Sequence, residues 1–362
     1  MKIGTCISKK GEKSHGLLRV SFNGKSTKLP IYIIEGKERG GTAFISAGMH
    51  GDELNGINIV SRSIPLINPK KVSGTLIFVP TLNPIGLHYG ERRIRYDALD
   101  LNRCFAKDPR SFSTKLAKIF FDEVVSQCDF GLDFHDSNKK NILFPHTRIF
   151  NNEYKAVNEL SRFFGTEIVM KRDPSRGMLA LEAMRKLKVP VLTIEIGGGM
   201  SILPEYMEIG LRGINNVLIN KGFLAGDVVL PHNQFILSER LGYRSPLGGL
   251  LSIRKKLGDI VASEEIIADI FNPVSGKEGT IKARNPGILF SVKASSHIKA
   301  NQKALSLLHL KEERGRLVTP DAKVIENREG PGVHTIHTGV FNKAFDKVKH
   351  GSRKFFEELL NE

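Results

Sequence analysis

His50 and Glu53 stand three positions apart in the run His50-Gly-Asp-Glu53, directly after an apolar stretch. Imidazole and carboxylate are donor types that Zn²⁺ accepts in a catalytic site. A second histidine closes the run Asp133-Phe-His135, far along the chain. Two histidines and a glutamate, with the third donor remote in sequence, form an open three-ligand set that leaves a coordination position for water. Asp133 is of the type that fixes an imidazole tautomer from behind. Alternate residues of a strand share a face, so that contact is expected to need a bend near His135. Two further runs carry chemistry: the Arg-rich stretch from Arg95 through Asp100-Leu-Asn102-Arg103, and Thr193-Ile-Glu195. A carboxylate inside an apolar strand is costly to bury unless it is paired or has a task. Each feature alone has a plain alternative: a hydrogen-bonding histidine, an Asx-capped turn with a surface arginine, a structural ion pair.

The elements that must position these residues read as alternating strands and helices. The apolar run 43–47 is a buried strand, and Gly48 and Gly51 let the chain turn into a helix over 53–66. A second strand spans 75–79, followed by a turn at 83–86 and a long polar loop over 89–105. A helix at 112–125 leads into a strand at 129–135, and a shorter strand is expected at 142–144. Helices follow at 152–164 and 177–187, then the β-branched run 189–196 that holds Glu195, then a helix at 204–219. Ligand sites of open α/β sheets lie at the carboxyl ends of the strands, which is where His50 and His135 fall. The fold expected for 42–221 is therefore a mixed, mostly parallel sheet with helices on both faces. Before it, residues 1–40 form a β-hairpin turning at Asn23-Gly24. After Gly226 short strands and turns recur, which reads as a small all-β barrel or sandwich. The expected domains are 1–228, 229–310, and a polar linker with a C-terminal helix (341–360) over 311–362.

The chain has 362 residues, 40% hydrophobic and 25% charged, as ordinary globular proteins do. No apolar stretch approaches the ~20 residues that span a bilayer, and no secretory signal opens the chain. Three cysteines (Cys6, Cys104, Cys128) make neither a metal nor a disulfide pattern, so a reduced, cytoplasmic protein is expected. The net charge of +16 is spread along the chain without a nucleic-acid fold signature. It reads as a basic surface whose field attracts small carboxylates, not as a nucleic-acid or membrane site.

Together, His50-Gly-Asp-Glu53, Asp100-Leu-Asn-Arg103, Asp133-Phe-His135 and Thr193-Ile-Glu195 resemble the succinylglutamate desuccinylase/aspartoacylase family, within the zinc carboxypeptidase-like hydrolases. The resemblance covers about residues 30–225, in the family's motif order, and it implies roles. His50, Glu53 and His135 would hold one Zn²⁺ per chain. Glu195 would be the general base for the attacking water and then the acid for the leaving amine. Arg95 would polarise the scissile carbonyl, with Arg92 and Arg93 as competitors. Asn102 and Arg103 would bind a substrate carboxylate, which an Arg fork matches bidentately. The further arginine that the family places before its glutamate falls to Arg185 or Arg176. Cys104 reads as a core residue, and His88, His146, His334 and His337 as surface or structural.

The activity expected is zinc-dependent cleavage of the amide of a small N-acylated amino acid or similar anionic compound. A metallocarboxypeptidase trimming peptide C-termini needs the same Asn102–Arg103 clamp and remains the alternative. A non-catalytic basic binding protein is the reading from another class. The sequence allows an oligomer.

Overall fold

Four apolar strands pair in parallel at the centre of the structure, in the order Ser73–Val79, Glu38–Ser46, Phe130–His135, Val191–Gly198. The computed structural model describes residues 1–150, 154–238, 240–313, 316–318 and 323–336. The expected residue 337 and helix at 341–360 lie outside the described residues. Parallel strands are buried on both faces, and these carry the near-continuous apolar runs that such burial requires. Phe44 lies across from Gly131 on one face, where a Cβ on Gly131 would come within 2.1 Å of the ring. Phe44 also meets Phe120 edge-on at 5.8 Å, which seats the helix α3 (Phe112–Glu123) on that face. On the other face Phe134 contacts Phe164 at 5.8 Å and packs against Gly56. That places α1 (Leu54–Leu66) and α4 (Lys155–Phe164) there, with α6 (Pro204–Asn220) against both. The remaining helices are the short α2 (Pro84–Tyr89) and α5 (Leu179–Leu187), the latter reaching α3 through Lys186 over Phe121.

The chain leaves Glu38–Ser46 through α1 for one neighbour, then returns through α3 to the other neighbour. Crossovers of parallel strands are right-handed, so this reversal puts α1 and α3 on opposite faces. It also opens a crevice at the carboxyl ends of Glu38–Ser46 and Phe130–His135. His50 follows the first of these strands, and His135 ends the second. The fold thus explains why both histidines meet.

Antiparallel strands flank this centre. The hairpin Glu12–Phe22/Lys25–Glu35 turns at Asn23 and Gly24, both with positive φ, and joins the edge at Ser73–Val79. Beside Val191–Gly198 runs Asn141–Ile149, longer than the expected 142–144 because it pairs on both sides. Its outer partner is Gly287–Lys293, followed by Lys303–His309 and Leu241–Arg244. The β-rich segment after Gly226 therefore extends the main 14-stranded sheet as well as folding on itself. It has its own four-stranded sheet and its own apolar cluster, which includes Leu251, Ile270 and Leu305. The turn expected at 83–86 is instead the start of α2, capped by Asn83, whose side chain accepts from the Gly86 amide. The strand Ile168–Lys171 was not expected from the pattern; it is only four residues long.

Candidate active site

Strand register assembles the site before any side chain is considered. Ser46 pairs with Asp133, Thr193 with Asp133, and Glu195 with His135. In-register neighbours share a face, so Ser46, Asp133, His135, Thr193 and Glu195 all project from one side of the sheet. Asp133 contacts His135 within the straight strand, with 2.9 Å between Oδ2 and Nε2. The bend expected near His135 is not needed, since a shared face is what brings the two together.

His50 and Glu53 arrive from the turn after Ser46. Glu53 Oε1 lies 2.7 Å from His50 Nδ1, and Oε2 lies 2.9 Å from His135 Nδ1. The far nitrogens are both held by carboxylates: His50 Nε2 by Asp100 Oδ1 at 3.0 Å, His135 Nε2 by Asp133 Oδ2. All three residues are almost fully buried, and their ligand atoms lie within 4.8 Å of one another. A carboxylate behind each imidazole keeps the proton on the outer nitrogen and leaves the inner lone pair for a metal. Two imidazoles and one carboxylate with outer partners are the donor set of a divalent transition-metal site, and zinc fits it. Burial disfavours the charged imidazole of His135, yet Asp133 and Glu53 outweigh it and raise its pKa well above the usual value. Asp100 is shifted down despite its own burial, through His50, Arg92 and Arg103.

These donors line a cavity of about 400 Å³. Asn102 and Arg103 line it as expected; Asp100 caps their 3₁₀ turn and bonds His50 as well, so the Asx reading and the functional one describe the same residue. The Asn102 side-chain oxygen accepts from the Leu179 amide, which leaves its amide group as a donor. Glu195 lines the cavity and pairs with Arg148 at 2.9 Å. Asp136 lies beside them, bonded to Asn55, with its other oxygen unpartnered. Burial first, then the nearby Glu53 and Glu195 charges, raise its pKa well above the carboxylate range despite the Asn55 bonds.

The succinylglutamate desuccinylase/aspartoacylase catalytic domain matches residues 39–220, half of the chain. The chain belongs to this family. An N-alpha-acetyl-L-2,4-diaminobutyric acid deacetylase from Halomonas elongata is 28% identical over 274 residues, covering 71% of this chain and 80% of that one. Among solved structures, a succinylglutamate desuccinylase from Silicibacter sp. TM1040 is 24% identical with a TM-score of 0.72, covering 85% of this chain and 99% of that chain. The ectoine utilization protein EutE (DoeB) from Ruegeria pomeroyi is 23% identical with a TM-score of 0.71, covering 84% and 99%. At that identity the two structures speak for the fold.

Against the roles implied by the desuccinylase/aspartoacylase resemblance, two arginines sit elsewhere than expected. Arg95 stacks 3.9 Å over the Tyr89 ring, pairs with Glu91 and is half exposed, away from the cavity. Arg92 lines the cavity instead, with Nη1 2.7 Å from Glu53 Oε1 and Nη2 3.3 Å from Asp100. Arg185 lies on the outer side of α5 beside Glu182 and does not line the cavity; nor does Arg176. The arginine at Glu195 is Arg148, from the neighbouring antiparallel strand. Sequence reasoning also passed over Asp100 as the partner of His50, and Arg240, Ser291 and Lys303, which reach the cavity from the C-terminal strands. The Asp100 role had a signal, since the carboxylate stood in a motif already singled out. The others depended on strand pairings that no local pattern reveals. His146 is buried against Phe290 and His334 is exposed beside Asp227, while the cysteines are buried and free. No helix among the described residues is long and apolar enough to cross a membrane.

Proposed function

We propose that this chain is a zinc-dependent deacylase that hydrolyses the amide of a small N-acylated amino acid. The observation that carries this reading is the convergence of His50, Glu53 and His135, each imidazole backed by a carboxylate, beside the buried Glu195. His50, Glu53 and His135 would hold the ion, which supplies Lewis acidity and brings the pKa of a water toward ~7. Glu195 then takes the proton of the attacking water and returns it to the leaving nitrogen, so one carboxylate serves as base and acid. Arg92 presents its guanidinium to the carbonyl oxygen as charge develops there. Asn102 and Arg103 donate to a carboxylate of the substrate and fix the amide over Glu195. Asp100 and Asp133 keep the two histidines in the tautomer with the inner nitrogen free.

Two observations favour a small substrate over a peptide. The cavity of about 400 Å³ suits a molecule of amino-acid size, and strands after Gly226 contribute its Arg240, Ser291 and Lys303. The deacetylase relative from Halomonas elongata supports the same substrate class. The test is Glu195→Gln assayed on a panel of N-acyl amino acids, with metal content measured in parallel. The variant should retain its metal and lose about 10³-fold or more in kcat, more than a typical general-base contribution of 10²–10⁴ at its low end. Retained turnover would move the base to another residue. Wild-type protein without metal and without activity on the panel would overturn the reading itself.

A further inference from the structure

Asn55 follows Glu53 by two residues, is 2% exposed and does not line the cavity. The reaction proposed above gives it no task, yet its hydrogen bonds reach the ends of both strands that carry His135 and Glu195. Glu53 is the N-cap residue of α1, but its side chain makes no capping bond, because both oxygens face the histidines. The cap comes from the neighbouring strand instead. Asp136 Oδ2 accepts from the Asn55 backbone amide at 3.1 Å and from its Nδ2 at 3.0 Å. Asp136 directly follows His135, and its own backbone amide donates to Glu53 Oε2 at 3.3 Å. The bonds thus close a ring, from Glu53 along the chain to Asn55, across to Asp136 and back to Glu53.

The other side of Asn55 faces the loop behind Glu195. Its Nδ2 also donates to the Ser201 carbonyl, and its Oδ1 accepts from the Leu203 amide, both at 2.9 Å. Between Glu195 and those residues lie Gly197, Gly198, Gly199 and Met200, all with positive φ. A run of that kind keeps one shape only where its surroundings over-determine it. Two backbone bonds, from Ser137 to Gly197 and from Gly199 to Asn138, join it to residues that line the cavity. Asn55 adds two more, and a Cβ on Gly197 would lie 2.6 Å from Asn55 Nδ2.

We propose that Asn55 is a positioning residue: through Asp136 it holds Glu53 in ligand geometry, and through Ser201 and Leu203 it sets the glycine loop that follows Glu195. The inference rests on the zinc-deacylase reading and adds to it a residue that touches neither metal nor substrate. Alanine at position 55 would leave the Ser201 carbonyl and the Leu203 amide without this partner. It would also leave Asp136 Oδ2 with the backbone amide alone, so the ring around Glu53 loosens.

The test measures Zn²⁺ affinity by chelator competition, and kcat and KM on the best N-acyl amino acid of the panel. The proteins are wild type, Asn55→Ala, Asp136→Ala, the double alanine variant and Asp136→Asn. Ile64→Ala, which opens the core further along α1, controls for plain loss of stability. Asn55→Ala should weaken Zn²⁺ binding and lower kcat by about tenfold each, as loss of a partner behind a metal ligand does, with KM within about threefold. Asp136→Ala should weaken Zn²⁺ binding similarly, and the double variant should lose little more affinity than either single one, since both act through one set of bonds. Asp136→Asn should recover most of that loss, because an amide oxygen can replace Oδ2 as the acceptor. Ile64→Ala should lower the unfolding temperature and leave affinity and kcat near wild type. Additive losses of affinity, no recovery in Asp136→Asn, or an Asn55→Ala variant that behaves like Ile64→Ala overturn the proposal. If wild type binds no zinc and hydrolyses no member of the panel, the deacylase reading fails by itself, and amide hydrogen exchange then decides the tie. Faster exchange confined to 135–138 and 199–204 in Asn55→Ala supports it, and an exchange pattern matching that of Ile64→Ala overturns it.

Discussion

Arg92 and Arg95 lie three residues apart in a loop, and nothing in their immediate sequence ranks one over the other. What separates them is the partner each meets in the loop that follows Gly90, the residue that ends α2 in the left-handed conformation. Arg92 is then turned toward Glu53 and Asp100, and Arg95 falls back on Tyr89. Arg92→Ala should lower kcat by about 10²-fold or more, the range seen for loss of one oxyanion donor. Arg95→Ala should change kcat/KM by about threefold or less, since its contacts are a solvent-exposed pair and a stack. Steady-state kinetics on one substrate checks both, and equal losses would return the polarising role to the loop as a whole. The residues legible in the sequence were those whose chemistry stands out from local context: a histidine or carboxylate closing an apolar strand. His50, Glu53, His135 and Glu195 are of that kind. Arg148, Arg240 and Lys303 are charged residues among many, and only three-dimensional pairing distinguishes them.

At the scale of elements, the turn between Glu38–Ser46 and α1 carries two of the three proposed ligands, and its glycines act in different ways. Gly48 has a positive φ of 61°, so it supplies the sharp turn that the sequence suggested. Gly51 is required for close approach instead. A Cβ there would lie 1.9 Å from the Gly86 carbonyl carbon and 2.2 Å from the Leu87 nitrogen, within α2. Backbone atoms cannot yield as a flexible side chain does, so α2 itself must shift. The Gly51 amide also donates to the Glu91 carbonyl, one residue from Arg92. Gly51→Ala should therefore destabilise the protein by about 1–3 kcal/mol, as overpacking does. It should also lower kcat by displacing Arg92 from Glu53. Thermal unfolding and kinetics measured on the same preparation test this, and an alanine variant with wild-type stability would contradict it. The hairpin at Asn23-Gly24 and the parallel strands were readable because their cues are local. The length of Asn141–Ile149 was not, because the residues beyond 142–144 are held by Val191–Gly198 on one side and by Ile168–Lys171 on the other, pairings that no local pattern reveals.

At the scale of the molecule, Asn141–Ile149 is the seam between the parallel centre and the C-terminal strands. His146 sits in it, opposite Glu195 in register, with Nδ1 2.9 Å from the Phe144 carbonyl and its ring 4.9 Å from Phe290. Burial lowers its pKa from 6.5 to about 3, with Arg148 and Arg240 acting in the same direction and the Phe144 bond opposing. The unfolded chain takes up this proton below about 6.5 and the folded chain does not until about 3. Between these values the unfolded state binds more protons, so stability falls as the pH falls, and the slope comes in part from one buried ring. The consequence is felt at the seam that carries Arg148, Arg240 and Lys303 to the cavity. Replacing His146 by Gln removes the titration and keeps a polar group near the Phe144 carbonyl. Chemical denaturation at pH 7, 5 and 4 should give a shallower loss of stability for His146→Gln than for wild type, whatever the difference at neutral pH. Parallel curves for the two proteins would place the acid sensitivity elsewhere and remove His146 from the account.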